Sequence, residues 1–142
     1  MKLPILLLTL ALAACVTAPG DRVGDRIAIL QITNTGSEAL SCKIVFGHWV
    51  EHDLGSLAPG TTFDIAVRQA AGDRALYVNR DDHQRQMMIE NIVCGRLADW
   101  RGTLGQVDLT RARQRDISHL EATCAAPPGA GRVACHVTAI GL

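Results

Sequence analysis

Ile117-Ser118-His119-Leu120-Glu121-Ala122-Thr123-Cys124, a break at Pro127-Pro128-Gly129-Ala130-Gly131, and Arg132-Val133-Ala134-Cys135-His136-Val137-Thr138-Ala139-Ile140 read as two strands joined by a turn. Apolar and polar residues alternate on both sides of the break, the period of a sheet with one face on a core. If Gly129-Ala130 centres the turn, Cys124 falls directly opposite Cys135. Leu120, Ala122 and Cys124 then share the apolar face with Val133, Cys135 and Val137. Opposed residues have β-carbons about 4.5–5.5 Å apart and a disulfide needs about 3.5–4.5 Å, so a modest closing of the strands joins them.

The same grammar runs back through the chain. Ile27–Thr33 ends in Asn34-Thr35-Gly36-Ser37, and Leu40–Phe46 puts Leu40, Cys42, Ile44 and Phe46 on one face. Leu54-Gly55-Ser56-Leu57-Ala58-Pro59-Gly60 reads as a connection ending in a turn. Phe63, Ile65 and Val67 then alternate with Thr62, Asp64 and Arg68. Ala75–Asn79 and Gln86–Val93 read as a hairpin around Arg80-Asp81-Asp82-His83. Val107–Ser118 fits either a strand or a short helix. Seven or eight strands at this spacing predict an all-β fold, an antiparallel β-sandwich or barrel. Aromatic residues make up only 4% of the chain, so Val, Ile, Leu, Ala and Met must build the core.

Cys42, Cys94, Cys124 and Cys135 allow three pairings. The turn-centred register favours Cys124–Cys135 and leaves Cys42–Cys94. The alternative, four thiolates on one zinc ion, lacks the close Cys-x-x-Cys spacing of such sites.

The fifth cysteine lies elsewhere. Met1-Lys2 is followed by an apolar run from Leu3 to Leu12, then Ala13-Ala14-Cys15. The run is far short of the ~20 residues a membrane-spanning helix needs. Leu12-Ala13-Ala14-Cys15 resembles the lipobox of bacterial lipoproteins. That resemblance implies removal of residues 1–14 as a signal peptide, diacylglycerol on the sulfur of Cys15 and an acyl chain on its amine. An ordinary secretory signal cut after Ala13 is the competing reading. Each buried methylene contributes about 0.8 kcal/mol, and two or three chains make release very slow. Val16, where aspartate tends to retain lipoproteins at the inner membrane, implies the periplasmic face of the outer membrane.

Residues 15–26 read as a lipidated tether, broken by Pro19, Gly20 and Gly24 and kept wet by Asp21, Arg22, Asp25 and Arg26. As a coil, the residues after Cys15 reach roughly 17–20 Å. Residues 27–142 form one domain. Loss of the leader leaves thirteen basic against fourteen acidic side chains. No net field then draws the protein to nucleic acid.

Ile32-Thr33-Asn34-Thr35-Gly36-Ser37 and Leu54-Gly55-Ser56-Leu57-Ala58-Pro59-Gly60-Thr61-Thr62 are similar to phrases in immunoglobulin-like sandwich modules of bacterial exported proteins. The likeness implies architecture and no function. Ile92 stands where true immunoglobulin domains carry a tyrosine, two residues before the second core cysteine.

His48-Trp49-Val50-Glu51-His52 matches His-x-x-Glu-His, the inverzincin pattern. Its context, between a strand and Asp53-Leu54-Gly55, leaves no room for the helix that chemistry needs, so the match is read as accidental. His48, His52 and Asp53 remain candidate ligands for a transition metal. Trp49 and Trp100 are candidate protein or sugar contacts, with core packing as the alternative for each. In a strand, Trp49, Glu51 and Asp53 share the outer face. Arg111, Arg113 and Arg115 alternate, but Asp108 and Asp116 dilute their field. Met87 and Met88 point to opposite faces of a strand, so they cannot clasp one copper ion.

No nucleophile has an evident base, and no phosphate loop is present. The expectation is a non-enzymatic envelope lipoprotein without a cofactor, acting as an interaction or structural module for an envelope protein. The alternatives are metal binding through His48 and His52, and inhibition of a hydrolase such as lysozyme.

Overall fold

Among the described residues, nine strands and one short α-helix follow in chain order: β1 (Arg26–Asn34), β2 (Leu40–Phe46), β3 (Glu51–Leu57), β4 (Thr62–Gln69), β5 (Leu76–Asn79), β6 (Gln86–Arg96), β7 (Gly105–Gln106), α1 (Thr110–Gln114), β8 (His119–Ala125) and β9 (Ala134–Gly141). The computed structural model describes residues 25–79, 86–129 and 131–142. The leader, Cys15, most of the tether and the Arg80-Asp81-Asp82-His83 turn lie outside the described residues. No described helix is long and apolar enough to cross a membrane.

The strands form one sheet in the order β3-β2-β6-β5-β4-β1-β8-β9, with β7 on β6. Every pairing is antiparallel except β1 with β8, which run parallel from Ile29↔His119 to Asn34↔Cys124. The fold is therefore all-β with one mixed sheet, which corrects the expectation of an antiparallel sandwich. Parallel strands need a long crossover, and here everything from β2 through α1 supplies it.

Strand β6 turns the sheet. Residues 86–88 pair with β5, and residues from 89 onward pair with β2. The register slips between Val45 and Phe46, opposite Asn91 and Ile89, leaving Glu90 as the extra residue. Such a bulge bends its strand and increases local twist. The roll brings β7 beside the start of β9, where Val133 N donates to Thr103 O at 2.7 Å. Gly105 is required at this approach, because a β-carbon there would sit 1.8 Å from Val133 O.

Alternation decides which residues the roll encloses. Ala28, Leu30 and Ile32 of β1 are buried, as are Leu40, Cys42, Ile44 and Phe46 of β2 and Ile65 and Val67 of β4. Leu76, Ile89, Ile92, Leu120 and Ala122 complete the same cluster. Full burial of a Leu, Ile or Phe side chain contributes about 1.5–3 kcal/mol. Phe46 is the largest fully buried side chain, and neither tryptophan is buried.

Both disulfides join directly opposed residues of neighbouring antiparallel strands. Cys42 pairs with Cys94 between β2 and β6, and Cys124 with Cys135 between β8 and β9. The last hairpin keeps the turn-centred register at its cysteines and slips one residue farther on. Ala122 faces Val137 while Glu121 faces Ala139, so Thr138 is the bulged residue. The sulfurs of Cys94, Cys124 and Cys135 lie within 4.8 Å of one another. The two cystines thus pack against each other inside the roll.

Three buried polar side chains hold irregular segments to the sheet. Asn34 donates to Glu38 O and Leu57 O and accepts from Gly36 N. Arg96 reaches Glu38, Gly131 O and Pro127 O, tying the end of β6 to the β8–β9 turn. Gln69 donates to Ala112 O and Arg115 O and accepts from Ile117 N, pinning the segment after β7 over the core.

One sequence expectation changes. Leu54–Leu57 belongs to β3 rather than to a connection, and only the stretch from Ala58 to Thr61 turns. Gly55 adopts φ +93° where the β2–β3 register shifts, so a residue that reads as a loop signal marks a bulge. Of the two alternatives for the segment from 107 to 118, the structure has the short helix, over Thr110–Gln114, followed by extended backbone at Arg115. Ala112 faces the core while Arg111, Arg113 and Arg115 are exposed, and Arg113 donates to Ile89 O and Glu90 O.

Candidate interaction site

The β2–β3 hairpin tip is built from the five residues that match the metallopeptidase pattern, and it has a different geometry. Strand β2 ends at Phe46, Gly47–Trp49 makes one 3₁₀ turn, and Phe46 N donates to Val50 O at 2.8 Å. Closing so short a turn forces His48 to φ 64° and Trp49 to φ 61°. That left-handed region is uncommon for side chains this large and costs of order 1–3 kcal/mol each. The result is an indole held out in solvent. Trp49 is 88% exposed, so it is neither a core plug nor a member of the outer strand face with Glu51 and Asp53.

Farther along, β2 turns Ser41 and Lys43 outward. Lys43 Nζ bonds Glu51 at 2.8 Å and lies 4.1 Å from the Trp100 ring centre. Trp100 donates from its indole nitrogen to Ser41 O at 3.1 Å and is half-buried. A β-carbon on Gly95 would meet Trp100 O at 2.5 Å, so the loop carrying this tryptophan is pressed onto β6. Trp100 therefore covers the sheet as a partly exposed lid, while Trp49 stands clear of it.

The structure separates the residues of the His-x-x-Glu-His match. His48 sits in the turn, Glu51 is tied to Lys43, and His52 is half-buried opposite Ile44. The helix that would put both imidazoles on one face is replaced by a turn and a strand. Asp53 accepts from Gly55 N at 2.7 Å. Among the described residues, the one group of three or more potential metal ligands is the set of cystine sulfurs Cys94, Cys124 and Cys135, already engaged in disulfides. Met87 packs on the core and Met88 faces out, as the strand alternation requires.

Compared with family models, curated proteins and solved structures, the chain matches none.

The remaining chemistry is sparse. Asp108 accepts from Thr110 N at 2.9 Å, and its hydrogen bonds with Thr110 hold its carboxyl below the ordinary aspartate range. A cleft of about 110 Å³ opens beside Ile27, Arg68 and Tyr77. Ligand pockets measure about 300–1,000 Å³, so this is surface relief.

Sequence reasoning missed one arrangement beside that cleft. Arg68 lies over the Tyr77 ring, 4.5 Å from its centre, and pairs with the carboxylate of Asp25, which also accepts from Ala71 N. Asp25 lies in the stretch that reads as tether. The partners stand 43 residues apart, so no local pattern announces the pair.

Proposed function

We propose that this protein is a non-enzymatic lipoprotein of the bacterial envelope, held by lipid on Cys15 at the periplasmic face of the outer membrane. It engages an envelope protein through the β2–β3 tip. Two independent features support the compartment. The stretch Leu12-Ala13-Ala14-Cys15 carries the lipidation pattern, and four other cysteines form two cystines, which persist in oxidising surroundings.

The observation that carries the interaction reading is Trp49. Tryptophan is enriched among interface residues that dominate binding energy. Here a turn with two left-handed residues presents one to solvent. A preformed tip has little conformational freedom left to lose on binding.

A photo-crosslinking amino acid at position 49 of the full-length lipoprotein, expressed in its own cells, is expected to give a discrete adduct that the same group at Ala58 does not. With that partner purified, Trp49→Ala should weaken binding about 30-fold, the equivalent of about 2 kcal/mol. Its unfolding midpoint should stay unchanged. Equal labelling from positions 49 and 58 contradicts the assignment.

A further inference from the structure

The outer face of the sheet changes character along β1 and β4. On β1 the outward residues run Ile27, Ile29, Gln31, Thr33; on β4, read from the paired end, they run Arg68, Ala66, Asp64, Thr62. The far half is polar and internally bonded, Gln31 to Asp64 and Thr33 to Thr62. The near half is apolar and widens across the sheet. Ile27 faces Arg68, Arg68 faces Tyr77, and Tyr77 faces Met88, one continuous row over four strands. With strands about 4.8 Å apart, the row is roughly 14 Å wide. Ile27 is 65% exposed and Met88 42%.

The charge within this row is neutralised. The Arg68 side chain is 12% exposed and that of its partner Asp25 3%. The aromatic ring of Tyr77 stacks on the same guanidinium. Exposed Arg26 flanks the row. Arg68 and Tyr77 thus stand between Ile27 and Met88, and a neutralised arginine stacked on an aromatic ring among apolar side chains is a composition that settles at a lipid–water interface.

Where the chain enters decides which surface can cover the row. Asp25, the first described residue, is clamped to Arg68 and to Ala71 N, so the preceding chain departs from the apolar half. Cys15 lies ten residues upstream, a span of at most about 33–36 Å even when fully extended. The polar end of β1 stands a further ~26 Å away along the strand. A leash this short holds the row at high effective concentration beside whatever holds Cys15.

We propose that the Ile27–Arg68–Tyr77–Met88 row, with Ile29, is a membrane-facing surface that rests in the headgroup region of the bilayer carrying the anchor. This inference depends on lipidation at Cys15. The ion pair between Asp25 and Arg68 acts as the joint, orienting the domain so that the β3–β4 turn points away from the lipid.

The test uses the mature lipoprotein reconstituted in phosphatidylethanolamine–phosphatidylglycerol vesicles. With Cys15 acylated and the other four cysteines oxidised, Ile27→Cys, Met88→Cys or Ala58→Cys each introduces one free thiol for an environment-sensitive fluorophore. Labels at 27 and 88 should shift their emission to the blue and be quenched by nitroxide lipids, while the label at 58 should do neither. In the unacylated Cys15→Ser protein, free in lipid-free buffer, all three labels should be open to aqueous iodide. Vesicle-bound protein whose labels at 27 and 88 stay as wet as that at 58 overturns the proposal while leaving the anchor intact. Protection from iodide at 27 and 88 that persists in the lipid-free Cys15→Ser protein overturns it too, because the chain itself then covers the row. Protein that fails to float with the vesicles overturns both the anchor and this inference.

Discussion

Replacing Cys42 and Cys94 together by alanine will lower the unfolding free energy by about 4 kcal/mol. The bridge spans 52 residues, and closing a loop of that length in the unfolded chain accounts for a cost of this size. The Cys124–Cys135 bridge spans 11 residues, which lowers the expected loss to about 3 kcal/mol. The order of the two losses is therefore the discriminating result in urea unfolding. Because the two cystines touch, removing both should not be additive. Equal losses, or a greater loss from the short bridge, would show that local packing outweighs loop closure.

Gln69→Leu will cost about 3–5 kcal/mol. The substitution fills the same space yet strands Ala112 O, Arg115 O and Ile117 N, and each buried unpaired group costs about 1–3 kcal/mol. Gln69→Glu keeps the acceptor for Ile117 N and loses the donors, so it should also destabilise. Amide exchange is the sharper readout. The Ile117 amide should lose protection in the leucine variant while the Leu30 amide, in the middle of β1, keeps more of its own. A loss below about 1 kcal/mol would mean that water replaces the glutamine and the segment is not pinned.

What was legible in the sequence was local. Strand β2 runs from Leu40 to Phe46 as its alternation implied, and β4 follows its period of two. The cystine pairing followed from a turn centred on Gly129-Ala130, because a hairpin's register is set by its own few residues. What was not legible required distant partners. The parallel pairing of β1 with β8 joins segments about ninety residues apart and leaves no mark on either. Strand β3 was hidden because Gly55 and Ser56 look like a turn, whereas Gly55 serves a bulge opposite Cys42.

The candidate site divides the same way. Core packing stood as the alternative for both tryptophans, yet Trp49 lies outside, and Phe46 is the largest fully buried side chain. The left-handed pair at His48 and Trp49 could not be read from their identities, since histidine adopts that conformation only in a minority of cases and tryptophan rarely. The spacing of His48, Glu51 and His52 was visible in the sequence, as was the absence of room for a helix, and the turn at 47–49 agrees with the second. Asp25 looked like tether because five of its neighbours are charged or glycine; Arg68, far along the chain, draws it into the fold.

The proposed attachment to the membrane turns on the chemistry of a single sulfur. Tandem mass spectrometry of the N-terminal peptide, taken from protein purified out of its native membrane, tests it most directly. The expected peptide begins at Cys15, with diacylglycerol in thioether linkage and an acyl chain on the amine. A peptide that still carries residues 1–14, or one that starts at Ala14 with an unmodified thiol on Cys15, would contradict it.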